Sequence, residues 1–72
     1  MTEVKGMEII DLEVSRHNCI FLLTPLTSEG RAWLHENIHA EPWQWLGNSL
    51  SVDQHYVAEI VDGAMNDGLQ VI

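Results

Sequence analysis

Seventy-two residues, 46% of them hydrophobic and 19% charged, leave room for one hydrophobic core and exclude any design that needs two lobes. Three basic residues, Lys5, Arg16 and Arg31, face eleven acidic ones for a formal charge of −8, and no two of the three lie within ten positions of each other. A phosphate backbone or an anionic membrane surface is gripped by clustered Lys and Arg, so neither direct nucleic-acid binding nor membrane binding is expected.

The opening Met1-Thr2-Glu3-Val4-Lys5 lacks the basic start and apolar stretch of a signal peptide. The longest apolar run, Cys19 to Leu23, is too short to span a bilayer. Cys19 is the one cysteine, which excludes an intramolecular disulfide and four-thiolate metal sites and points to a reducing cytoplasm. Opening an apolar run, it is expected to be a core residue.

Met7 to Val14 reads as a strand, with Ile10, Leu12 and Val14 inward and Asp11 and Glu13 in water. Ser15 to Asn18 is a polar break of hairpin-loop length, and Cys19 to Leu23 is a second, more buried strand. Thr27 or Ser28 then supplies an N-cap, with Glu29 in the first turn, for a helix running to about Ile38. Its buried stripe is Trp33, Leu34 and Ile38, Gly30 allows a close approach to the sheet, and Pro42 stops it.

Trp43 to Asn48 reads as a loop closed by a Gly47-Asn48 turn, and Ser49 to Val52 as a short strand. The second helix is marked by Tyr56, Val57, Ile60, Val61 and Ala64 at helical spacing. Ser51 with Gln54, or Asp53 alone, caps its start. Gly68 suits the left-handed position at its end, with Leu69 folding back onto Ala64. Leu69 to Ile72 is a terminal strand. The expectation is an α+β fold, a single domain over 1–72 built as a small two-layer sandwich. The order is β-β-α-β-α-β, with both helices on one face of a mostly antiparallel sheet. The helix residues Trp33, Leu34, Ile38, Tyr56, Val57, Ile60 and Val61 would meet Ile10, Leu12, Phe21 and Leu23.

Three constellations bear on function. His35-Glu36-Asn37-Ile38-His39 is an H-E-x-x-H pattern, in which two imidazoles one helical turn apart hold zinc and the Glu serves as general base. Glu59 or His55 would be the third ligand. Against this, Glu41 and Pro42 break the helix almost at once, and a domain of this length has little surface to spare for a substrate cleft. His35 and His39 are therefore low-ranking metal candidates. No cofactor is expected, and no catalytic residue is assigned, because the serines sit at turns and caps and the glycines form no phosphate loop.

Trp43-Gln44-Trp45-Leu46 places two tryptophans on alternating positions. Either both rings plug the core, or one is left outside as an interface anchor with homodimerisation as its form. Asp11 and Glu13, with Glu3 and Glu8 nearby, form either a solvated face or a negative ridge able to imitate phosphates.

Leu23-Thr24-Pro25, Gly30-Arg31-Ala32-Trp33-Leu34, Trp45-Leu46-Gly47, Val52-Asp53, Tyr56-Val57, Ile60-Val61 and Asp67-Gly68-Leu69-Gln70-Val71 carry a further likeness. Over Leu23 to Val71 the chain resembles a family of short uncharacterised proteins of bacterial and bacteriophage genomes. That resemblance implies a cytoplasmic, mobile-element setting and carries no assigned activity. The functional expectation is a small acidic, non-enzymatic protein-interaction domain that binds a protein partner or itself, through Trp43, Trp45, Leu46, Asp11 and Glu13. The alternatives are an anti-CRISPR-like inhibitor of a nucleic-acid-binding machine by acidic mimicry, and a zinc-dependent hydrolase using His35, Glu36 and His39.

Overall fold

A computed structural model describes residues 9–72. Strand β1 is Leu12–His17, β2 Ile20–Pro25, β3 Trp45–Leu46 and β4 Ser49–Asp53; helix α1 is Ser28–Asn37 and α2 Gln54–Asn66. The fold is α+β, a four-stranded antiparallel sheet in the order β1-β2-β4-β3 with two helices.

Register follows from where the leucines must go. Residues directly opposite in an antiparallel pair share a face, so the pairings Leu12↔Pro25, Val14↔Leu23, Leu23↔Leu50, Phe21↔Val52 and Trp45↔Leu50 gather one apolar face. Glu13, Ser15, Thr24, Ser49 and Ser51 belong to the opposite one, where the Thr24 and Ser49 hydroxyls bond at 2.6 Å. The core consists of Leu12, Leu23, Leu50 and Val52 from the sheet, Leu34 from α1 and Ala64 from α2, flanked by half-buried Trp33, Ile38, Val57 and Ile60.

The first hairpin is shifted toward the C-terminus relative to its sequence pattern. Ser15, Arg16 and His17 continue β1, and the reversal is a two-residue turn in which Asn18 takes φ +62°. Asn tolerates that left-handed conformation, and pairing with β2 outweighs the weak strand preference of the polar run. Cys19 therefore sits exposed in the turn instead of in the core. Met7 and Glu8 lie outside the described residues.

Helix α1 starts as expected: Thr27 is its N-cap, its hydroxyl accepting from the Gly30 N–H at 3.0 Å. It ends at Asn37, and Ile38 is already extended at φ −115°, ψ 121°. The segment read as a loop contains more structure than its pattern shows. Pro42–Gln44 forms a 3-10 turn, and Trp45–Leu46 pairs with β4 across Gly47 (φ +63°) and Asn48 as a tight hairpin. Two residues are too few for a period of two to register.

Helix α2 is capped by Asp53, whose carboxylate accepts from the His55 N–H at 2.8 Å, while Ser51 remains in β4. At its end Gly68 takes φ +94°, and the Leu69 N–H donates to the Ala64 carbonyl at 3.0 Å, the reversal that a left-handed glycine permits. In place of a full terminal strand, Val71 forms one parallel bridge with Leu12. The Asp11 and Leu12 N–H groups donate to the Gln70 carbonyl, Ile72 N–H to Leu12, and Val14 N–H to Ile72. This short strip satisfies part of the otherwise open edge of β1.

Candidate functional site

The two tryptophans of the Pro42–Gln44 region take opposite roles. Trp45 faces the core side of β3, half-buried, and its ring stacks on His35 of α1 with centroids 4.6 Å apart and planes 7° from parallel. Trp43 is 74% exposed. The backbone around Trp43 is held on both sides. The Gln44 N–H donates to the Glu41 carbonyl at 2.9 Å, the Glu41 N–H to the Gln44 side-chain oxygen at 2.8 Å, and the Gln44 amide to the Ser51 carbonyl of β4 at 3.2 Å. Trp43 is thus an outward aromatic on an anchored turn.

Beside it lies a groove of about 430 Å³ between the 3-10 turn, the start of α2 and the end of the sheet. Ile20, Ile38 and Ile60 provide apolar lining, and Trp43 and Tyr56 add aromatic side chains to it. Tyr56 is 61% exposed, which corrects its expected place in the core. The stripe Tyr56, Val57, Ile60, Val61, Ala64, Met65 is wider than a small sheet can cover, and Tyr56 and Met65 fall at its outer margins. That excess width is the sequence signal for this surface, and it passes unnoticed when every apolar position at helical spacing is counted as buried.

Two carboxylates, Asp53 and Glu59, also line the groove, and no Lys or Arg among the described residues does. The His55 backbone N–H, and after it the His55 ring at 2.6 Å, hold the Asp53 carboxyl below the usual aspartate range. The described arginines are committed elsewhere: Arg16 donates to the Asn18 carbonyl at 3.1 Å and Arg31 to the Asn48 side chain at 2.7 Å. A second apolar depression, where Val14, Phe21, Val57, Val61 and Met65 meet the C-terminal residues, is shallower and carries Asp62 as its one charged lining residue.

The remaining sequence candidates are not brought together. His35, Glu36 and His39 are all exposed, but α1 ends at Asn37, so His39 is outside the helix and the one-turn relation that H-E-x-x-H needs is lost. Among the described residues no three His, Cys, Asp or Glu side chains converge as a metal-holding group.

Asp11 and Glu13 also part company. Asp11 precedes β1, and its carboxylate accepts from the Thr27 hydroxyl at 2.6 Å and from the Gln70 N–H at 2.9 Å. Those contacts, the Gln70 N–H first, lower its pKa. Its carbonyl accepts from the Leu26 N–H at 2.8 Å. Asp11 is therefore a tie between three segments, whereas Glu13 projects freely from β1. Glu3 and Glu8 lie outside the described residues. Leu46 is 56% exposed at the β3 hairpin.

Among the described residues no helix is long and apolar enough to cross a membrane. Comparison with protein-family models, with curated proteins and with solved structures finds no match to this chain.

Proposed function

We propose that this chain is a small, acidic, non-enzymatic protein-interaction domain whose contact surface is the groove between Trp43 and Tyr56. The observation that carries the reading is that two large, exposed aromatic side chains, Trp43 and Tyr56, line one groove together with the apolar Ile38 and Ile60. Aromatic anchors bury much area for little lost rotamer freedom, and the tied 3-10 turn presents Trp43 from a backbone that is already ordered. In this reading Trp43 is the anchor, and Trp45, stacked on His35, belongs to the fold rather than to the contact surface.

The arrangement behind the surface is a two-layer sandwich with both helices on the same side of the sheet. The shared cluster of Leu34, Ala64, Leu23 and Leu50 supports it. The resemblance over Leu23 to Val71 to short proteins of bacterial and bacteriophage genomes supports the reading of a cytoplasmic domain in a mobile-element setting. The acidic-mimicry alternative has less support, because Asp11 spends its carboxylate on Thr27 and Gln70 and leaves Glu13 alone on that strand. The zinc-hydrolase alternative has less again, with His39 off the helix.

The test is a comparison of the chain with its Trp43→Ala variant in sedimentation velocity and in affinity capture from bacterial lysate. The expected result is that wild type forms an assembly, with itself or with a retained protein, that the folded variant does not form. Identical behaviour of the two proteins defeats the reading.

A further inference from the structure

Which partner suits this groove is a question its chemistry answers. The lining combines apolar side chains, two aromatic residues and two carboxylates, Asp53 and Glu59, and holds no Lys or Arg among the described residues. The chain as a whole carries eleven acidic residues against three basic ones. A second copy of this chain is a poor occupant, since a two-fold interface sets each patch against itself. Asp53 and Glu59 would approach their own counterparts, on two bodies of charge −8 each.

The complementary occupant is both apolar and positively charged. Its apolar side chains fill the floor, and an ammonium or guanidinium lies over the face of Trp43 or Tyr56, where the ring quadrupole attracts it, within reach of the carboxylates. A volume of about 430 Å³ accommodates a few side chains and not a folded surface. We infer that the groove binds a short basic, apolar segment of a partner protein, with a Lys or Arg of that segment held between the aromatic rings and the Asp53/Glu59 carboxylates. This rests on the interaction reading above and specifies the partner's chemistry.

The probe is an acetylated, amidated pentapeptide of alternating leucine and lysine, compared with counterparts carrying glutamine or glutamate in place of lysine. Each is titrated into the isotope-labelled full chain at low salt and followed by NMR. The lysine peptide is expected to move the Trp43 indole and the Tyr56, Glu59 and Ile60 signals and to bind more tightly than the glutamine peptide. The glutamate peptide should be weakest, and added salt should narrow the spread. Glu59→Gln should reduce the lysine-over-glutamine preference about two- to fivefold, the scale of one exposed ion pair. Trp43→Ala should weaken the lysine peptide about thirtyfold, as loss of an interface anchor does.

Equal binding of all three peptides at a Trp43-dependent site overturns the cationic occupant and leaves the interaction groove standing. A Trp43-dependent dimer overturns it in favour of a second copy, again leaving the groove. Absence of any perturbation at the groove overturns the inference outright; if Trp43→Ala also leaves assembly and capture unchanged, the interaction reading falls with it.

Discussion

Asp11 shows how one side chain can serve a different purpose from the one its neighbours suggest. Beside Glu13 in an alternating strand it reads as solvated charge, yet its two carboxylate oxygens meet the Thr27 hydroxyl and the Gln70 N–H. Thr27 in turn caps α1 through Gly30, so the start of β1, the first turn of α1 and the C-terminal strip share one carboxylate. Those hydrogen bonds favour the ionised form and set its pKa below the ordinary aspartate value of about 3.9. A depressed folded pKa stabilises the native state above the unfolded value, and that contribution is lost as pH falls through the folded one. Asp11→Asn should therefore cost about 1 kcal/mol in urea unfolding at pH 7. The gap between the two proteins should close as pH drops below about 4. A gap that persists unchanged at pH 3 would show that Asp11 acts through shape rather than charge.

At the scale of elements, α1 is held against the sheet by an absent side chain. Gly30 is fully covered, and a Cβ there would run into the carbonyl oxygen of Asp11, a backbone atom that has no room to yield, with the Leu12 side chain 3.2 Å away. Gly30→Ala would raise helix propensity by about 1 kcal/mol in isolation, but the overlap should reverse the sign and cost about 1–3 kcal/mol. Thermal denaturation followed by circular dichroism measures it. A stabilised variant would mean that α1 lies farther from β1 than described.

The Gly at this position and the helix cap were legible in the sequence because both are local. The end of α1 was legible to within a residue of Ile38, and the Glu41-Pro42 break already counted against His39 as a helical metal ligand; that Ile38 is fully extended, which takes His39 off the helix, is seen only in the structure. The β3 hairpin likewise depends on β4 as a partner. Cys19 and the polar end of β1 depend on a turn position that pairing with β2 decides.

The whole molecule rests on a small core. Leu12, Leu23, Leu34 and Leu50 are the fully buried large side chains among the described residues, and a domain of this size has only about 3–5 kcal/mol from its core to spare. Leu23 sits at the centre, paired with Val14 on one side and Leu50 on the other. Leu23→Ala removes about 2–5 kcal/mol, so a substantial unfolded population is expected at room temperature, visible in urea titration and in the loss of dispersed NMR signals. Trp43→Ala, by contrast, changes an exposed residue and should leave stability within about 0.5 kcal/mol of wild type. This difference separates the folding machinery from the contact surface.

Composition and periodicity by themselves determined the α+β class, the second helix and its Gly68 stop, the core places of Leu12, Leu23 and Leu34 and the strongly negative charge, while the choice of Asp53 over Ser51 as cap and the burial of Leu50 waited on the placing of β4. The former are consequences of local conformational preference and of which residues must leave water. Which aromatic side chains would remain outside was decided only in three dimensions. Exposure depends on how much of a helix stripe the sheet can cover and on which side of β3 a ring falls, and those quantities exist only once the strands are paired. Hence Trp45 folded against His35, while Trp43 and Tyr56 were left exposed in the lining of one groove that also carries Asp53 and Glu59.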